Sequence, residues 1–120
     1  MKLEKPHKNL DVWKISMELV QQIYKVTAAF PKHEIYGMTS QIRRAAVSVP
    51  SNISEGAARQ TKKELANFLH IAQGSLSELD TQLDISLSLG YLESDDRNRI
   101  DELLVRIDKM LTAFIRSQKT

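Results

Sequence analysis

Five polar residues, Gln41, Arg44, Ser48, Asn52 and Glu55, follow one another at steps of three, four, four and three. On an α-helix this spacing lays them in one continuous stripe, with Arg43, Ser51 and Arg59 at its margins. A guanidinium, two amides, a hydroxyl and a carboxylate in line offer hydrogen bonds and charge. Three readings fit them: a binding site, a polar seam in which Arg44 and Glu55 find partners between helices, or a solvated face. Asn52 follows Pro50 closely and is placed to bond the backbone that a proline leaves exposed.

A second group is basic. Arg43, Arg44, Arg59, Lys62 and Lys63 are suited to contacting phosphates, and an array of copies around a symmetry axis would multiply their charge. The competing reading is ordinary surface charge, because no aromatic residues interleave to stack bases and no known nucleic-acid-binding motif is visible.

Other chemistry finds no residues. Cysteine is absent, which removes thiol nucleophiles, thiolate metal sites and disulfides. Helical bundles that hold two metal ions use Glu-x-x-His pairs; here His70 has Asn67 three residues before it, and His7 and His33 lie in an N-terminal tail and a loop. There is neither a phosphate-cradling glycine loop nor a nucleophile elbow. No catalytic residue, cofactor, metal or small-molecule substrate is expected.

The elements that carry these residues follow from apolar periodicity. Val12, Ile15, Leu19, Ile23, Val26 and Phe30 recur at steps of three and four, giving a helix over about 10–30 that Pro31 stops. A second stripe on the same helix, Trp13, Met17, Val20 and Tyr24, leaves it apolar over more of its circumference than one core requires, so these four are the candidate oligomer interface. Trp13 reads as an anchor in the core or at that interface, with a ligand platform as the competing reading. Ile42, Ala45, Ala46, Val49, Ile53 and Ala57 define a second helix over about 37–59, in which Pro50 predicts a kink because the apolar phase continues from Val49 to Ile53.

Thr61-Lys62-Lys63-Glu64 is a capping box that opens a third helix over about 62–89. Its stripe runs Leu65, Leu69, Ala72, Leu76, Leu79, Leu83, Leu87, and Gly90 is suited to closing it. Gly74 and Ser75 leave room there for a close crossing. A fourth helix, about 95–117, takes Ser94 as its N-cap and places Asp95 and Asp96 where the helix dipole favours negative charge. Ile100, Leu103, Leu104, Ile107, Met110, Leu111, Phe114 and Ile115 form its apolar face. Asp101, Glu102, Arg106, Lys109 and Arg116 form a solvated one, with Glu102 and Arg106 at pairing distance. No alternation signals a strand. The expected fold is all-α, an antiparallel up-down four-helix bundle with a proline kink in its second helix, in one domain spanning 1–120.

Composition agrees. A chain of 120 residues, 42% hydrophobic and 27% charged, is the size of one globular domain. No apolar run approaches the roughly 18 residues of a membrane span. Residues 1–14 carry four lysines without an apolar signal core, so the expected location is cytoplasmic, with no membrane partner. Residues 1–60 hold nine Lys/Arg against five Asp/Glu, and 61–120 eight against ten. That asymmetry suits head-to-tail contacts or a polyanion.

Leu10-Asp11-Val12-Trp13, Phe30-Pro31, the segment from Tyr36 to Gly56 (YGMTSQIRRAAVSVPSNISEG) and Gly74-Ser75-Leu76-Ser77-Glu78-Leu79 resemble the four-helix bundle proteins encoded by intervening sequences in bacterial 23S rRNA genes. Ser51 and Ser54 depart from that pattern, where alanine is common. The resemblance implies a cytoplasmic homopentamer without an established enzymatic role. More distantly the chain resembles the accessory variability determinant proteins of diversity-generating retroelements, pentamers that bind a reverse transcriptase and nucleic acid, an analogy that makes RNA or DNA binding through Arg43, Arg44 and Arg59 a hypothesis. Two functions are thus expected in competition: an oligomeric accessory or scaffold protein that associates with nucleic acid, and a purely protein-binding or self-associating module.

Overall fold

The apolar stripes become four helices: α1 (Asp11–Thr27), α2 (Met38–Ala57), α3 (Lys62–Ser88) and α4 (Ser94–Ser117), with short 3-10 turns at Pro6–Asn9 and Lys32–Glu34. A computed structural model of the chain describes residues 5–119. Among the described residues there is no strand, and no helix is long and apolar enough to cross a membrane.

α1 ends three residues before Phe30. The Thr27 hydroxyl donates to the Ile23 carbonyl at 2.7 Å, and the amides of Ala29 and Phe30 then bond the carbonyls of Val26 and Thr27, tightening the chain into i→i+3 turns. Phe30 is still buried in the core, its ring 5.6 Å from that of Tyr91. α2 lacks a capping side chain at Gly37; Glu34 reaches forward instead, and its Oε1 accepts from the Met38 amide at 3.2 Å. The helix runs through the buried Pro50 as a single element.

At the start of α3 half of the capping box forms: the Glu64 amide donates to the Thr61 hydroxyl oxygen at 3.1 Å, but the Glu64 carboxylate accepts from that hydroxyl at 2.8 Å and not from the Thr61 amide. Its end is a Schellman turn. Gly90 takes φ +78°, the Tyr91 amide bonds the Ser86 carbonyl at 2.9 Å, and the Gly90 amide bonds that of Leu87 at 3.1 Å. α4 differs from expectation at its first residue. Glu93, not Ser94, occupies the N-cap and no side chain caps it, so the first turn relies on Asp95 and Asp96 against the helix dipole.

Each helix packs on two neighbours, α1 on α2 and α4, α3 on α2 and α4, around one apolar core with side chains from all four. Every member of the first expected stripe is buried, as are Ile42, Val49 and Ile53 of α2, Leu69, Leu79 and Leu83 of α3, and Ile100, Ile107 and Leu111 of α4. The α2–α3 contact is the most extensive. Gly56 permits it: a Cβ there would stand 2.9 Å from both Leu65 Cδ1 and Phe68 Cβ. Gly74 does not play the expected role, since it is exposed and a Cβ there would meet nothing within 4 Å.

α3 and α4 are also joined by a buried charge. Arg97, in the first turn of α4 and 7% exposed, donates to Asp80 and, at 2.9 Å, to Asp84 on α3, and lies 3.5 Å from Asp101. Burial disfavours its charge; hydrogen bonds to Asp80 and Asp84, with their negative charges, more than offset this and hold its pKa above the ordinary guanidinium value. Among the described residues Glu102 and Arg106 form no ion pair, so the charges of α4 are organised around Arg97 and, at its surface, Arg99 with Asp96.

Candidate functional site

The polar stripe of α2 divides into three parts. In its middle, Ser48 and Asn52 enter a seam with α3: the Ser48 and Ser75 hydroxyls are 2.8 Å apart, and Asn52 Nδ2 donates to the Ser48 carbonyl at 2.8 Å and to its hydroxyl oxygen at 2.9 Å. Asn52 thus bonds backbone, but the carbonyl it reaches is that of Ser48 and not that of Ala46, which Pro50 deprives of its donor. At the C-terminal end Glu55 pairs with Arg59 at 2.7 Å rather than with Arg44. At the N-terminal end Gln41 and Arg44 are exposed. They line a recess of about 250 Å³ with Ala45, Ser48, Ser75 and Glu78.

The basic cluster separates as well. Arg43 and Arg44 lie some fifteen residues from Arg59, which along a helix is about 22 Å. Arg59 is held by Glu55 and lies over the Phe68 ring, 4.8 Å from its centroid. Lys62 and Lys63 are exposed in the first turn of α3, with Thr61 and Glu64 beside them. Arg43 turns toward α1, where its Nε donates to Thr27 Oγ1 at 2.9 Å and its guanidinium lies 4.5 Å from the centre of the Tyr24 ring. Arg44 has neither a hydrogen bond nor an ion pair among the described residues.

Those two arginines border a groove of about 530 Å³ between α1 and α2 lined by Tyr24, Ile35, Thr39, Ser40, Arg43, Arg44, Val47 and Ser48. It holds two cations, hydroxyls and apolar side chains. It contains no carboxylate, imidazole or thiol, so its lining lacks a pair of groups able to exchange a proton near neutral pH. Among the described residues no group of three or more His, Asp or Glu side chains is placed to hold a metal ion.

The expected oligomer stripe splits along its length. Trp13 and Val20 are half-buried against the core, Trp13 with its ring edge-on to His7 at a centroid distance of 5.2 Å. Met17 and Tyr24 stay open, at 36% and 44% exposure. Ile35, Tyr36 and Val47, which periodicity had not singled out, are exposed at 48%, 95% and 39%. The available signal was two large apolar residues in a short loop, Ile35 and Tyr36, that no helical stripe claimed.

Beside the groove a latch joins the two loops at this end of the bundle. Glu34 accepts from the Met38 amide and, through Oε2, from the Tyr91 hydroxyl at 2.9 Å. These bonds, the Met38 amide first, hold the Glu34 carboxyl below the usual carboxylate range, with the nearby charge of His33 adding to them and burial opposing. The same carboxylate raises the pKa of Tyr91 by accepting its proton.

No curated protein matches the chain. Its fold is shared by the crystal structure of a protein of unknown function from the S23 ribosomal protein family of Bacteroides thetaiotaomicron. That protein is 25% identical, with a TM-score of 0.78 over 87% of this chain and 97% of the other. Residues 8–113 match the model of the 23S rRNA-intervening sequence protein family, and the chain belongs to that family.

Proposed function

We propose that this protein is a non-enzymatic, oligomeric four-helix bundle that associates with nucleic acid as an accessory or scaffold, with Arg44 and the α1–α2 groove as its contact surface. The observation that carries this reading is the open guanidinium of Arg44 beside a concavity that holds a second arginine and no carboxylate. A phosphate there would meet two cations without like-charge repulsion. The family's association by name with 23S rRNA intervening sequences supports it. The lack of acid–base partners in the groove favours binding over catalysis. A homopentamer and a cytoplasmic location belong to the same proposal through the family resemblance. In a low-salt retention assay with RNA and DNA, binding is expected that weakens steeply with added salt; no retention of either at about 50 mM salt would remove the reading.

A second reading, a purely protein-binding or self-associating module, is favoured by one observation of its own. Met17, Tyr24, Ile35, Tyr36 and Val47 leave apolar surface exposed on the first two helices and the loop between them. It calls for an oligomer indifferent to polyanions whose assembly is weakened by Tyr24→Ala. Sedimentation with and without RNA separates the two, and a stable monomer counts against both.

A further inference from the structure

Tyr36 is 95% exposed, adjoins the groove residue Ile35, and has no hydrogen-bond partner among the described residues. It contributes nothing visible to the fold. Tyr24, in the groove lining, is 44% exposed and carries the Arg43 guanidinium over its ring, and Arg43 is held in place by Thr27. The structure therefore supplies what the chain order hides: an aromatic ring beside a cation in the groove lining, with a second, exposed ring one residue beyond that lining, the combination on which unpaired bases stack while their phosphates are neutralised.

The local charge points the same way. From Leu19 to Ser54 the chain carries Lys25, Lys32, Arg43 and Arg44 against a single carboxylate, Glu34. Both Glu34 oxygens are already engaged, one by the Met38 amide and the other by the Tyr91 hydroxyl. The groove volume of about 530 Å³ lies within the roughly 300–1,000 Å³ typical of sites for small organic groups, enough for a nucleotide. A duplex keeps its bases stacked inside and would present only phosphates to this surface, leaving the rings without a role. An unpaired strand uses both.

We infer that the groove receives single-stranded nucleic acid, with Tyr36 and the Tyr24–Arg43 stack as platforms for bases and Arg44 as the contact for an adjoining phosphate. The inference rests on the nucleic-acid reading above and narrows it to unpaired strands.

The test is fluorescence anisotropy at low salt with the full chain and four labelled probes: an RNA strand of about twelve nucleotides, its duplex, an abasic strand of the same length, and an oligoglutamate peptide. The wild-type protein is expected to favour the single strand over the other three by about tenfold. Tyr36→Ala is expected to lower single-strand affinity about fivefold or more and leave duplex affinity unchanged, while Tyr36→Phe retains both. Because Tyr36 is almost wholly exposed, neither substitution threatens the fold, which circular dichroism checks. Equal affinity for the abasic strand or the duplex overturns the stacking site and leaves phosphate binding standing. Equal affinity for oligoglutamate, or wild-type behaviour of Tyr36→Ala, also overturns it. No binding to any nucleic acid defeats the broader reading with it.

Discussion

Arg97 sits about one turn inside the start of α4 and Arg44 nearly two turns inside the start of α2, and their surroundings are opposite. Arg97 is buried at the α3–α4 junction and surrounded by Asp80, Asp84 and Asp101. Arg44 is exposed at the edge of the α1–α2 groove, whose lining has no carboxylate. One guanidinium holds helices together; the other makes no hydrogen bond or ion pair among the described residues. A cation that the fold does not use, beside rings the fold does not bury, is where binding is to be sought.

The comparison breaks first, if it is wrong, in stability. Arg97→Ala strands three aspartates around an emptied position and is expected to lower stability by about 2–3 kcal/mol. This is less than the full cost of breaking a buried pair, because the aspartates remain about half exposed. Chemical denaturation should show it, with Arg44→Ala changing stability by less than about 0.5 kcal/mol. Equal effects of the two would erase the distinction.

The same division runs through the glycines. A methyl group at Gly56 would press on Leu65 and Phe68, whereas at Gly74 it would meet nothing. Gly56→Ala is expected to destabilise by about 1–3 kcal/mol through overpacking of the α2–α3 contact. Gly74→Ala should stabilise by about 0.5–1 kcal/mol, as alanine is the better helix former in an exposed helix interior. Thermal melts of the two variants should move in opposite directions. A destabilising Gly74→Ala would mean that this face is covered in the working assembly.

The helices were legible because their signals are local. The steps from Val12 to Phe30, the Thr61–Glu64 box and Gly90 act within one or two turns, and each appears where its chemistry requires. The contacts that sort the polar residues are not local. Ser48 meets Ser75 across 27 positions, Arg43 meets Thr27 across 16, and Glu34 meets Tyr91 across 57. Spacing on one helix could place Arg44 and Glu55 in one stripe; it could not reveal that Glu55 is taken by Arg59. Nor could it show that Tyr24 comes to lie beneath Arg43, which is why the basic group seemed to lack aromatic neighbours. No spacing signal singles out Arg97, and only the fold of α4 onto α3 buries it.

A smaller effect sharpens the description of the groove end. The folded Glu34 carboxyl has a lowered pKa, so the latch contributes stability above the ordinary carboxylate value and loses it as pH falls through the lower folded value. Tyr91 has a raised pKa, so its part is present below the ordinary tyrosine value and is lost as pH rises through the higher folded one. Stability measured against pH should therefore fall less steeply at both limits in Glu34→Gln than in the wild type. An unchanged profile would mean that the loops at this end do not depend on the latch.

The most direct measurement sets the two halves of the basic group against each other: nucleic-acid affinity as a function of salt for the wild type, Arg44→Ala and Arg59→Ala. Arg59 already has Glu55 as a partner, so its removal should change little. Loss of Arg44 should weaken binding at low salt and reduce the slope of log affinity against log salt by about 0.7–0.9, the loss of one phosphate contact. Binding that is untouched by Arg44→Ala and depends on Arg59 would contradict the assignment of the α1–α2 groove as the contact surface.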